Sequence, residues 1–363
     1  MRTVIPIQVK KECCRLRNEG RSNKEIYYEY FLKQIDNYPR SYETFRHMIL
    51  QWSKKKFADN DTLEAGTYEG FTAHDATVQV SKTGEIIQAW IKQKAGPIDP
   101  EEFIRAIREN VEPLEYEPVC LADTSRMLEI PLFDMHWGVA FMDHYKPVLD
   151  ELIELIDSRY WDKIVIPFGQ DFFHNDSIIN GQTTKGTSIE KVDMIRAVKE
   201  GRDFIYKLVA AAINKCNNIE IIYSPGNHDT SISWMFMQAL AEMYRLTDVV
   251  TVDDTLEYRK VITYGNNAIM VTHGDSRQAT AKNLAHIFPI AFAKDFGEAT
   301  VREVHAGHLH HESEADIYGV MVRRLSTGGK VDEWSNKQDF IGAHKRFMVF
   351  EWTNNKLASI HYI

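Results

Sequence analysis

Eight polar residues of this 363-residue chain stand where apolar runs stop: Asp134, His136, Asp171, Asn227, His228, His273, His308 and His310. They offer carboxylate, imidazole and amide donors and no thiolate. That set suits manganese, iron, zinc or magnesium rather than a structural cysteine–zinc site. Asp134 and His136 are two positions apart, and in extended backbone such residues point the same way, so they leave a strand tip side by side. The other junctions read Gly169-Gln170-Asp171, Gly226-Asn227-His228-Asp229, Thr272-His273-Gly274-Asp275 and Gly307-His308-Leu309-His310. Together they supply ligands enough for two cations sharing a carboxylate. Two cations about 3.5–4 Å apart clamp a phosphoryl group and activate a water against it. Taken singly, each junction reads as well as an ordinary strand-end acid or a solvated histidine.

The elements that must position these residues alternate. Residues 127–133 read as an apolar strand in spite of Pro131, and 163–168, 219–224, 257–264 and 267–272 read as further strands. Residues 147–160 and the amphipathic run 189–215 read as helices, and 319–325, 346–352 and 357–362 as a strand-like tail. Strand and helix in alternation predict an α/β fold. In such sheets ligands collect beyond the carboxyl ends of the strands, where these junctions fall.

In these motifs the chain resembles the calcineurin-like metallophosphoesterases. Their ordered motifs appear here as Asp134-x-His136, Gly169-Gln170-Asp171, Gly226-Asn227-His228-Asp229, a lone His273 and Gly307-His308-x-His310. The resemblance covers residues 126–363. It implies a four-layer α/β/β/α sandwich and two divalent metal ions, manganese first, with iron, zinc and magnesium as alternatives. Carried over residue by residue, Asp134, His136, Asp171 and His310 would hold one ion. Asp171, Asn227, His273 and His308 would hold the other, with Asp171 bridging. His228 would be the general acid on the leaving oxygen, oriented by Asp229; the alternative for Asp229 is a cap on the following helix.

Gln170 is an insertion in the usual Gly-Asp. Gly169-Gln170-Asp171-Phe172-Phe173-His174 is similar to the Gly-Gly-Asp-Leu-Phe-His of the Mre11/SbcD nuclease branch. The Gly-Asp-x-Val-Asp-Arg-Gly run of protein Ser/Thr phosphatases is missing, and His174 stands where purple acid phosphatases place a tyrosine. The resemblance therefore implies phosphodiester hydrolysis, DNA first, by in-line attack of a hydroxide bridging the ions. His174, and Lys185 in the polar loop 177–187, are candidates to contact substrate phosphate; the alternatives are a plain hydrogen-bonded loop histidine and a mobile surface loop. One alternative is a phosphodiesterase or phosphatase for small nucleotides. Another is a DNA-binding regulatory or assembly protein with a secondary esterase site. An SbcC/Rad50-like ATPase partner follows by analogy alone.

The chain ahead of the junctions differs in charge. Residues 1–56 hold 13 Lys/Arg against 6 Asp/Glu, an excess of seven positive charges, so an overall net charge of −9 leaves −16 for the rest. Helices are expected over 8–19, from a capping box at Ser22 and Glu25 through 32, and from Ser41 to Lys54-Lys55-Lys56, with Asn37-Tyr38-Pro39 as a break. Three short helices with a basic third resemble a helix-turn-helix unit, which makes DNA the partner expected for residues 1–60. The alternative is a small helical bundle that mediates assembly, including homo-oligomers. Residues 61–125 read as a linker, a hairpin (76–81 and 86–91 about a turn at 82–85), a helix opened by Asp99-Pro100 and an acidic connector; the main domain takes 126–363. Four cysteines without Cys-x-x-Cys spacing read as reduced thiols. No apolar stretch approaches the roughly 20 residues that span a bilayer, and the start lacks a signal-peptide core. A cytoplasmic protein without a membrane partner is expected.

Overall fold

The computed structural model describes residues 5–35, 41–54, 71–80, 86–95, 99–119, 125–330 and 342–363, with backbone alone over 71–80 and 86–95. The chain separates into two compact units, Met1–Asp99 and Pro100–Ile363.

The first unit opens with α1 (Ile7–Asn18) and α2 (Asn23–Glu25), continues through a π-helical turn (Ile26–Phe31) into α3 (Leu32–Gln34), and then forms α4 (Tyr42–Lys54). The capping box is present: Ser22 Oγ accepts the Glu25 N–H at 3.2 Å, and Glu25 Oε2 accepts the Ser22 N–H at 2.8 Å. An ordinary helix is expected over 26–32, yet the chain widens to an i→i+5 turn there. That register buries Ile26, Tyr27 and Phe31 together. Phe31 then meets Phe45 of α4 at 4.5 Å between ring centroids, and Tyr27 meets Phe45 at 5.0 Å. Arg46 on the exposed side of α4 lies 3.6 Å from Glu43. β1 (Phe71–Val80) and β2 (Ile86–Ala95) pair antiparallel, a longer hairpin than expected. The expected break at 37–39, the cations at 55–56, the linker from 57 to 70, the turn at 82–85 and Cys120 lie outside the described residues.

The second unit runs α5 (Pro100–Asn110), β3 (Arg126–Glu129), α6 (Met142–Asp157), β4 (Lys163–Gly169), α7 (Met194–Ile213), β5 (Ile219–Ser224), α8 (Thr230–Met243), β6 (Val250–Asp253), β7 (Arg259–Tyr264) and β8 (Asn267–Thr272). It continues with α9 (Ala281–Ala291), α10 (Ala293–Glu298), β9 (Val301–Ala306), β10 (Ser313–Ile317), β11 (Val320–Arg324), β12 (Met348–Thr353) and β13 (Lys356–Tyr362). A six-stranded sheet has the order β13-β12-β3-β4-β5-β6, and a five-stranded sheet has the order β10-β11-β9-β8-β7.

The period-2 alternation of strands sorts their side chains. Leu128, Ile164, Ile166 and Ile221 face α6, α7 and α8, whereas Met127, Val165 and Ile222 oppose Ile269 and Val271 of the second sheet. Ala268 and Met270 turn the other way, toward α9. The result is the expected α/β/β/α sandwich. β3 stops at Glu129 rather than Phe133, because Pro131 has no N–H for a ladder; the last regular bond is Ile130 N–H to Val165 O at 2.8 Å. Between the sheets, the fully buried His305 of β9 sits with Nδ1 2.7 Å from Glu129 Oε1 of β3 and Nε2 3.2 Å from Glu303 Oε2. Burial alone would lower its pKa, but the two carboxylates raise it to about 9. A buried imidazolium thus fastens one sheet to the other. Among the described residues no helix is long and apolar enough to cross a membrane.

Candidate metal centre

The junction residues gather beyond the carboxyl ends of β3, β4, β5, β8 and β9. Backbone bonds stitch their loops together: Asp134 N–H to Gln170 O at 2.9 Å, His136 N–H to Asp171 O at 3.0 Å and Gln170 N–H to Ser224 O at 2.7 Å. The turns are unusually tight. Asp134, His136, Gln170, Asp171, His308 and His310 all have left-handed φ, from +49° to +72°, and among the described non-glycine residues only Tyr318 joins them. Each such residue costs about 1–3 kcal/mol and persists where the surroundings over-determine it. Two motif glycines are fixed by close approach. A Cβ on Gly226 would lie 2.1 Å from Asp171 Oδ1, and one on Gly307 would lie 2.5 Å from Asp134 Oδ2.

The side chains converge in adjoining groups. Asp134, His136 and His310 form one, and Asp171, His273 and His308 form a second, with the donor atoms of each within 4.8 Å of one another. In the first, the Nε2 atoms of His136 and His310 face each other at 3.2 Å, and His310 Nε2 is 3.4 Å from Asp134 Oδ1. In the second, His273 Nε2 is 3.1 Å from Asp171 Oδ2 and 2.8 Å from Asn227 Oδ1. Asp171 Oδ1 accepts the His228 N–H at 2.7 Å.

Asp134 Oδ1 is buried without a hydrogen-bond donor. An unsatisfied buried carboxylate oxygen beside two imidazole nitrogens aimed at each other is costly in itself and is resolved by a cation among them. The residues therefore fit metal ions: Asp134, His136 and His310 would hold one, and Asp171, Asn227, His273 and His308 another.

The charges reinforce one another. Burial pushes the Asp171 pKa up, but the neighbouring His273 and His228 outweigh it and hold the carboxyl well below its usual range. Burial works to lower His273, and Asp171 raises it to about 9. His136 is driven down by burial and by the rings of His228 and His310.

Three further candidate residues lie around these groups. His174 is buried, not solvent-facing: its Nδ1 lies 3.4 Å from His136 Nδ1, and its backbone oxygen is 3.0 Å from His228 Nδ1. With His136 and His228 it forms a third group whose donor atoms lie within 4.8 Å of one another. Asp229 does not orient His228. Its Oδ2 accepts the Phe173 N–H at 2.8 Å, and burial with the charge of Asp171 raises its pKa well above the usual range. The alternative role for Asp229 fares no better, since Asp229 makes no side-chain cap on α8; that helix start is bonded by Asp176, whose Oδ1 accepts the N–H groups of Ser231 at 2.7 Å and Ile232 at 3.0 Å. Lys185 is exposed outside both groups, its Nζ 3.9 Å from Asp275 Oδ2.

Sequence reasoning missed Arg324. Its buried guanidinium donates to the carbonyls of Gly307 (3.1 Å), Gly274 (3.4 Å) and Ala279, tying the His273 and His308 loops together. Its place at the end of a strand-like run was the only signal.

No family model matches this chain, and no curated protein matches it. Solved structures do. Zinc-complexed Vps29 from Entamoeba histolytica is 15% identical, with 66% of this chain and 97% of that one covered and a TM-score of 0.32. An archaeal phosphodiesterase is 11% identical, with 66% and 99% covered and a TM-score of 0.33. A conserved Streptococcus pneumoniae protein described as a predicted phosphoesterase is 12% identical, with 66% and 100% covered and a TM-score of 0.29. The chain itself is a two-sheet α/β/β/α sandwich with a buried Asp/His centre suited to metal.

Proposed function

We propose that the second unit is a dimetal phosphoesterase that hydrolyses phosphodiesters, with DNA as its substrate. The observation that carries the chemistry is the pair of adjoining donor groups with His228 at their edge: its ring centroid is 4.7 Å from that of His136. When bound, two divalent cations neutralise phosphate charge and make water a nucleophile near neutral pH. The oxygen of water joins phosphorus as the bond from phosphorus to the leaving oxygen breaks. His228 Nδ1 faces the His174 carbonyl, so Nε2 is the atom left to give the leaving oxygen its proton. Asp171, bonded to the His228 backbone, sets where that ring stands. The DNA assignment rests on the positive excess of the first 56 residues and on the Gly-x-Asp-x-Phe-His likeness.

The test is hydrolysis in Mn²⁺ of single-stranded DNA, double-stranded DNA and bis-p-nitrophenyl phosphate by the wild type and Asp171→Asn. DNA cleavage lost in the variant supports a nuclease. Cleavage of the small ester alone moves the substrate to small nucleotides, a reading favoured by the cavity described next.

A further inference from the structure

A cavity of about 450 Å³ opens beside the second donor group, and His308 belongs to both. That volume lies in the range of small-molecule sites, roughly 300–1,000 Å³; it admits one substituent of a phosphate, not a duplex. We infer that this cavity receives the ester arm that stays on phosphorus, and that the arm is a nucleoside-sized alcohol. The inference rests on the phosphoesterase reading above and narrows it to diesters whose retained arm is a terminal group.

Position selects the retained arm. His228 stands against His136 of the first group, whereas the cavity lies on the side of His273 and His308. An arm that takes its proton from His228 departs on the first side, so the arm in the cavity is the one that remains. A monoester lacks that second arm.

The lining selects the chemistry of the arm. Ala281, Ala315 and Val322 supply apolar wall, and Asp275 and Glu314 supply carboxylates. Asp275 accepts from the Tyr258 hydroxyl and Glu314 from Arg323, so both keep oxygen lone pairs for substrate hydroxyls. The buried Arg324 in the wall spends its donors on three carbonyls, which leaves Arg277, exposed to solvent, as the other cation of the lining. Each carboxylate has a cation at its side, Lys185 by Asp275 and Arg323 by Glu314, so the pair serves to accept the hydroxyls of a sugar.

Calorimetric titration of the Mn²⁺-loaded full chain with inorganic phosphate and with adenosine 5′-monophosphate tests this. The nucleotide is expected to bind about tenfold more tightly than phosphate or better, the gain from burying part of its adenosine. Ala315→Trp, and separately the milder Ala281→Leu, should shrink that gap while leaving phosphate affinity unchanged. Equal affinity of the two probes for the wild type overturns the inference, as does a gap that survives both substitutions. Mn²⁺-independent or absent phosphate binding overturns the phosphoesterase reading itself, and the cavity assignment with it.

Discussion

The aromatic core of the first unit and the donor groups of the second are both buried, and they are built on opposite terms. In the first, Tyr27 and Trp52 each pack on Phe31 and Phe45, which also meet each other, with ring centroids 4.5–6.2 Å apart, and a capping box satisfies the backbone at a helix start. Burial there is stabilising. In the second, carboxylates and imidazoles crowd together on left-handed backbone, an arrangement that costs free energy until a cation joins it. One region contributes stability, and the other draws on stability contributed elsewhere in the sandwich.

That contrast can be broken from either end. The largest effect is expected from Asp171→Asn, which removes a charge facing His273: turnover of bis-p-nitrophenyl phosphate should fall by about 10³-fold or more, with metal content reduced by elemental analysis. Gly226→Ala should do nearly the same without touching a donor, by pressing a methyl group into Asp171. His228→Ala should lower kcat by about 10²–10⁴-fold while leaving bound metal intact; loss of metal as well would assign His228 to the ligands.

Phe45→Ala should lower the stability of the first unit by about 3–5 kcal/mol in denaturant unfolding followed by fluorescence, with hydrolysis of the small ester unchanged. Loss of ester hydrolysis there would end the division of labour. The link made by His305 gives a pH signature in the second unit. Its pKa is raised from 6.5 to about 9, so the stability it contributes is whole below about pH 6.5 and is lost as pH rises through about 9. Thermal melts across that window should show the decline, and His305→Gln should flatten it. The smallest effect is Ser22→Ala, about 1 kcal/mol from the lost cap.

The same contrast explains what could be read from the sequence. Asp134, Asp171, His273 and the Gly307-His308-x-His310 run were visible because each follows an apolar strand, and strand order carries them to one end of the sandwich. The alternation of 163–168 and 219–224 with helices made the fold class legible. For His174 the sequence shows a polar residue near a ligand but not which way its ring turns, so a phosphate contact and a hydrogen-bonded loop histidine stay open there. The π-helical turn at 26–31 was invisible because its cause is the fit of Tyr27 and Phe31 against Phe45, a contact across the fold. Arg324 was missed for the same reason: its partners are carbonyls, which carry no residue signature.

β3 leads into Asp134 and His136, yet one of its two sheet neighbours is β12, and Arg126 pairs with Glu351, 225 positions later. On the ribosome, β3, β4 and β5 emerge in order and can pair at once. The other edge of β3 stays bare until residues 348–353 are made. At about 5–20 residues per second that wait lasts on the order of 10–40 s, during which an open strand edge invites pairing with other chains. A nascent chain that stalls before β12 would carry the whole set of motif residues and an unprotected sheet edge beside them, and β12 is the strand that covers that edge.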